Sequence, residues 1–120
     1  MNRPTIENVK RGEERIIQDA LINYLKIHDW FVMETHGNMY SRGWPDLFAT
    51  HRKYGQRWIE VKKPIGYSFT PAQLDCFPLL EANGSGVWVL TAATQHEYEK
   101  LFMKSNWSLY LMLMNQRPCT

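Results

Sequence analysis

Cysteine is scarce in this sequence. Cys76 and Cys119 are the two among 120 residues; they make no zinc-ligand spacing and no disulfide framework, and they suit a reducing cytosol. No apolar run approaches the roughly 18 residues of a membrane-spanning helix, so no membrane partner is expected. The opening MNRPTIENVKRGEER is polar and lacks the apolar stretch of a signal peptide, which points to the cytoplasm. Seven glycines and six prolines fall well short of the roughly one-quarter share that marks low-complexity or disordered chains. Charge of one sign is not in excess either. The formal net charge of +2 permits a nucleic-acid partner without arguing for one, because dedicated DNA binders are more basic.

What is present is the composition of a soluble globular protein, 44% apolar and 22% charged, long enough for one domain with a real core. Residues 1–11 read as a polar arm and residues 12–120 as a single domain. Basic residues are clustered: Arg3, Lys10, Arg11 and Arg15 at the start, Arg42 in a loop, and His51, Arg52, Lys53 and Arg57 around a turn. Each cluster reads equally as a solvated face or a phosphate-contacting one.

Periodicity supplies the elements. Ile17, Leu21, Tyr24 and Leu25 recur at helical spacing between Gly12 and about His28, with Glu13 and Glu14 in the first turn. Trp30–Met33, Asp46–His51 and Gln56–Lys62 read as strands, the last two joined by a hairpin turn at Tyr54-Gly55. Ser68 or Thr70 can cap a second helix with Pro71 near its first position, and Pro78 should kink or split that helix. Val87–Leu90 is a buried strand. Thr94 to about Ser105 reads as a capped helix with Tyr98, Leu101 and Phe102 on its apolar face. The apolar tail Leu109–Met114 could be a helix, an edge strand or a dimer surface. The order α-β-β-β-α-β-α predicts an α/β fold: a meander of three strands, a fourth added in parallel through a crossover, and helices flanking a mixed sheet.

The chemistry concentrates in Gly43–Pro64. Strand alternation puts Trp58, Glu60 and Lys62 on one face and Ile59 and Val61 on the other. A turn at Tyr54-Gly55 would set Asp46 opposite Lys62 or Lys63, give or take one residue, within cross-strand reach of Glu60 and Lys62. Two carboxylates that close repel unless a cation compensates, and hard oxygen ligands favour Mg²⁺ or Mn²⁺. On the first helix, at about 100° per residue, Gln18 lies about 40°, Leu21 about −20° and Leu25 about +20° from Glu14. Glu14 is therefore centred on the apolar stripe and aimed, with Gln18, at the sheet that holds Asp46 and Glu60. Simpler readings compete: Asp46 as a turn residue after proline, Glu60 and Lys62 as a solvated strand face, Glu14 as a helix-start charge, Gln73 as a first-turn residue. His36 and His51 read as solvent or phosphate contacts, and Trp58, Trp88 and Phe77 as core.

Pro45-Asp46, thirteen intervening residues, and Glu60-Val61-Lys62 resemble the PD-(D/E)xK signature of nucleases. Glu14 and Gln18 ahead of it, Gly43 before Pro45, Gln73 after it and Gly86–Leu90 as a last core strand make the chain most similar to the small stand-alone VRR-NUC domains of phages and bacteria. The likeness runs from about Gly12 to Phe102. One departure is Trp44, where a smaller residue is commoner; it either packs on the sheet or stacks on a base. The resemblance implies a restriction-endonuclease-like core and hydrolysis of DNA phosphodiesters. Asp46, Glu60 and the Val61 carbonyl would hold one ion, and Glu14 a second ion or a water on the first. Lys62 would orient the attacking water and stabilise developing charge, with Gln73 bonding a water or phosphate beside it. Stand-alone members tend to be homodimers acting on branched DNA, four-way junctions above all. A duplex-cutting restriction- or repair-type nuclease and a non-catalytic DNA-binding module are the alternatives.

Overall fold

A computed structural model describes residues 12–35 and 42–115. The arm at 1–11, His36, most of the Gly37–Gly43 loop and Cys119 lie outside them. The chain is α/β: helix α1 (Gly12–Ile27), strands β1 (Phe31–Glu34), β2 (Leu47–His51) and β3 (Gly55–Val61), helix α2 (Pro71–Ala82), strand β4 (Val87–Leu90), the short helix α3 (Gln95–Tyr98) with a 3-10 turn at Glu99–Phe102, and helix α4 (Trp107–Asn115). The sheet runs β1-β2-β3-β4. The first two pairings are antiparallel, and β4 joins β3 in parallel after the α2 crossover.

Two apolar clusters sandwich the sheet. Ile17, Leu21 and Leu25 of α1 bury against Leu47, Ala49, Ile59, Val61, Trp88 and Leu90, the stripe that helical spacing requires. On the other face Val87 and Val89 meet Phe69, Phe77 and Trp107, whose rings pack edge to face. At the end of α1, Asp29 takes the left-handed conformation (φ 69°), and the Trp30 amide returns to the Leu25 carbonyl at 2.9 Å, closing the orphan carbonyls of the last turn.

Several expectations shift. Residues 52–54 form a three-residue hairpin loop and His51 pairs with Gly55; Gly55 has φ 84°, a conformation glycine adopts without strain. The two-residue turn at Tyr54-Gly55 is thereby replaced, and the ladder, with Leu47 opposite Ile59, sets Asp46 opposite Glu60 rather than Lys62 or Lys63. Pro78 neither splits nor ends α2; it stands on an exposed face of the helix, while its neighbour Phe77 is wholly buried and anchors the turn. The third helix is one α-turn followed by a 3-10 turn, and Phe102 is 46% exposed rather than core. The apolar tail is helical from Trp107.

Candidate active site

Position 46 follows Pro45 at the mouth of β2. Thr35, just beyond β1, clamps it: its hydroxyl donates to the Pro45 carbonyl and, at 3.1 Å, to the Asp46 carbonyl, and its amide donates to the same Asp46 carbonyl at 3.0 Å. The offset register then produces a reciprocal pair. The Asp46 amide donates to Glu60 Oε1 (3.1 Å), and the Val61 amide donates to Asp46 Oδ2 (2.7 Å). Both side chains are wholly buried, at 0% exposure, and Lys62 is 4% exposed. Carboxylates in such a place require donors aimed at them, which the two backbone amides supply.

Gln73 joins the network through the local logic of α2. Thr70 caps the helix and Gln73 stands at its third position; the Gln73 amide donates to Thr70 Oγ1 (3.1 Å) and the Thr70 amide to Gln73 Oε1 (3.0 Å), a capping box. The remaining capacity of that carboxamide faces the sheet. Gln73 Nε2 donates to Glu60 Oε2 at 2.8 Å, and Oε1 accepts from Lys62 Nζ at 3.0 Å. Lys62 Nζ also lies 3.1 Å from Glu60 Oε2 and 4.9 Å from the centroid of the Phe69 ring. Lysine, glutamate and glutamine thus form a closed triangle. One side chain thus serves both as a first-turn capping residue and as a member of this buried network.

Glu14 reaches the same strand end from the opposite face. Its Oε2 accepts from the Lys63 amide at 2.9 Å, beside the lysine that points into the network. Since α1 packs on the face carrying Ile59 and Val61, Glu14 approaches the rim of the network from that side. Gln18 is buried but turned to β1, donating to Glu34 Oε1 at 3.2 Å and leaving its own oxygen without a partner. Two members of the basic cluster at the hairpin, His51 and Arg57, are engaged in packing. His51 Nδ1 accepts from the Lys53 amide, its ring lies beside Trp30 and Tyr54, and Arg57 donates to the Leu101 carbonyl and covers the Trp88 ring. Trp44 packs against Trp58, ring centroids 5.0 Å apart and tilted by 50°.

Thr35 and Phe69 carry parts of this site that residue spacing did not reveal. The Thr-x-x-Gln capping box at 70–73 was a readable signal for Gln73; nothing in the sequence marks Thr35.

The donor set is oxygen only: two carboxylates, with the Val61 carbonyl next in the strand. That chemistry suits Mg²⁺ or Mn²⁺ bound through one or two carboxylates, with water and substrate phosphate completing the shell. It does not suit a closed protein cage. Among the described residues no group of three or more His, Cys, Asp or Glu is arranged to hold an ion.

No protein-family model, curated protein or solved structure was found to match the chain.

Proposed function

We propose that the chain is a metal-dependent, structure-selective DNA endonuclease of the VRR-NUC type, with a restriction-endonuclease-like core, working in the cytoplasm as a homodimer on branched DNA. One observation carries the reading: Asp46 and Glu60 are held face to face by reciprocal backbone hydrogen bonds, with the Lys62 ammonium against Glu60. A fold gains no stability from bringing two buried carboxylates together, whereas phosphodiester hydrolysis uses that pairing.

A bound Mg²⁺ or Mn²⁺ would neutralise charge on the scissile phosphate and acidify water. The residues of the chain do the rest. Asp46 and Glu60 hold the oxygen donors in place, because each is fixed by an amide of the opposing strand. Lys62 offers positive charge to the oxygens on which negative charge develops. Gln73 keeps Lys62 and Glu60 in register and can turn its amide to a water or phosphate oxygen. Glu14, pinned to the Lys63 amide, lines the approach. The exposed Leu109, Met112 and Leu113 of α4 supply an apolar face for a second copy, which would set two sites for paired nicks.

The second reading is the non-catalytic DNA-binding module. It is favoured by the complete burial of Asp46 and Glu60 and by the internal donors that both Glu60 oxygens already accept. The discriminating experiment incubates the protein with a labelled four-way junction and a matched linear duplex in Mg²⁺ or Mn²⁺. Junction-selective nicking supports the proposal. Equal cutting of both DNAs keeps the nuclease and removes the junction preference. Intact DNA throughout favours the binding module.

A further inference from the structure

Asp46 carries its carboxylate where the chain enters β2, and little in its own segment can hold it there. Pro45 has no amide hydrogen to give to a neighbouring strand. The turn ahead of Pro45 abuts α2: Gly43 has φ 84°, and a Cβ there would lie 2.5 Å from the Ala72 carbonyl oxygen. The backbone of Asp46 is instead gripped from the far end of β1. The Thr35 amide donates to the Asp46 carbonyl at 3.0 Å, one position beyond the Glu34–Leu47 pair of the ladder. The Thr35 hydroxyl has a single proton. Because the amide already serves the Asp46 carbonyl, the Pro45 carbonyl is the acceptor that depends on the hydroxyl.

The Pro45–Asp46 peptide is therefore held at both ends. Its carbonyl accepts from the Thr35 hydroxyl, and its N–H donates to Glu60 Oε1 at 3.1 Å. A peptide unit is planar, so fixing the oxygen on one side sets where the hydrogen points on the other. Hydrogen bonds linked in this way also polarise one another. The peptide that follows Asp46 is fixed too, by the Thr35 amide. With both flanking planes set, the Cα–Cβ direction of Asp46 is set, and its Oδ2 meets the Val61 amide at 2.7 Å. One threonine outside the ligand set thus aims both carboxylates, Asp46 through its backbone and Glu60 through the amide that it accepts.

We infer that Thr35 is a positioning residue of the proposed metal site, its hydroxyl acting through the Pro45–Asp46 peptide to hold Asp46 and Glu60 in the geometry that takes the ion. The inference rests on the metal-dependent reading and adds to it a residue that touches neither ion nor substrate. Groups that orient metal ligands from behind typically change metal affinity by about 10- to 100-fold when removed.

The test measures Mn²⁺ affinity on the whole chain without DNA, from the electron paramagnetic resonance signal of free Mn²⁺. Urea unfolding in EDTA gives the stability of each variant separately. Thr35→Val keeps the branched shape and removes the donor, and should bind Mn²⁺ about tenfold more weakly. Thr35→Ser restores the hydroxyl and should bind within about twofold of the wild type. Thr35→Ala repeats the loss with a smaller side chain should the valine variant not fold. A valine or alanine variant that binds Mn²⁺ as tightly as the wild type, whatever it loses in urea, would reduce Thr35 to a strand-end residue and overturn the inference while the metal site stands. Serine as weak as valine would overturn the role of the hydroxyl. The premise is checked in the same titration: a wild type that binds no Mn²⁺, or binding that survives Asp46→Asn, would overturn the metal site and the inference together.

Discussion

Among the described residues two buried glutamates each pair with a lysine, and the pairs differ in what surrounds them. Glu97 and Lys100 sit one turn apart on the α3 segment. Glu97 Oε1 accepts from the amide and hydroxyl of Thr91, tying the segment to the end of β4, and Lys100 donates to the Tyr110 hydroxyl at 2.9 Å. Lys100 keeps 24% of its side chain exposed. The pair's contacts to Thr91 and Tyr110 join one element to another, and the pair reads as a fastening. Glu60 and Lys62 sit two residues apart on a central strand, the lysine side chain only 5% exposed, and a second wholly buried carboxylate, Asp46, faces them across the ladder. A buried ion pair is therefore no mark of a site by itself. What sets the proposed site apart is the opposed second carboxylate.

The largest effect that should separate the two is on cleavage. Asp46→Asn keeps an oxygen for the Val61 amide but removes the charge, and should reduce nicking of a junction by about a thousandfold or more, measured by single-turnover cleavage. Lys100→Met, in the same assay, should cut like the wild type. Stability comes next. Lys62→Met strands Glu60 in a closed interior and should cost about 3 kcal/mol or more in urea unfolding, whereas Lys100→Met should cost about 1 kcal/mol or less. Equal losses would make the two pairs the same kind of object.

A smaller effect is that of the ion. Millimolar Mn²⁺ should raise the melting temperature by a few degrees, on the order of 1–3 kcal/mol of linkage, and Asp46→Asn should remove the rise. An unchanged melt in the wild type would speak for the binding module.

The smallest concerns acid. Burial alone would raise the Glu97 carboxyl, but hydrogen bonds from Lys100 and Thr91 and the Lys100 charge bring it below its ordinary value. A depressed folded value gives stability that is full at neutral pH, begins to fall once the pH drops below the unfolded value, and is gone below the folded one. Melts between about pH 3 and pH 7 should therefore fall less steeply for Glu97→Gln than for the wild type.

The strands, the two main helices and the mixed pairing could be read from the chain because their signals are local. Val87–Leu90 is short, apolar and β-branched, and Ile17, Leu21 and Leu25 share one helical stripe. The register could not be read to the residue. It depended on whether the chain closes with Tyr54-Gly55 or with Arg52-Lys53-Tyr54 before Gly55, and both use the same glycine. That one choice decides whether Asp46 meets Lys62 or Glu60. Helical angle correctly turned Glu14 toward the sheet, but which face α1 covers is a tertiary matter, and it leaves Glu14 at the rim and Gln18 beside Glu34. Pro78 shows the opposite limit, since a strong local breaker is overridden where Phe77 and the Thr70 cap hold the helix.

The most direct measurement is a crystal grown with Mn²⁺ and recorded at the manganese absorption edge. An anomalous peak about 2.2 Å from carboxylate oxygens of both Asp46 and Glu60, with Lys62 drawn back from Glu60, is the expected result. A map with no peak there at saturating Mn²⁺, and the Lys62–Glu60–Gln73 triangle intact, would contradict the metal-dependent site.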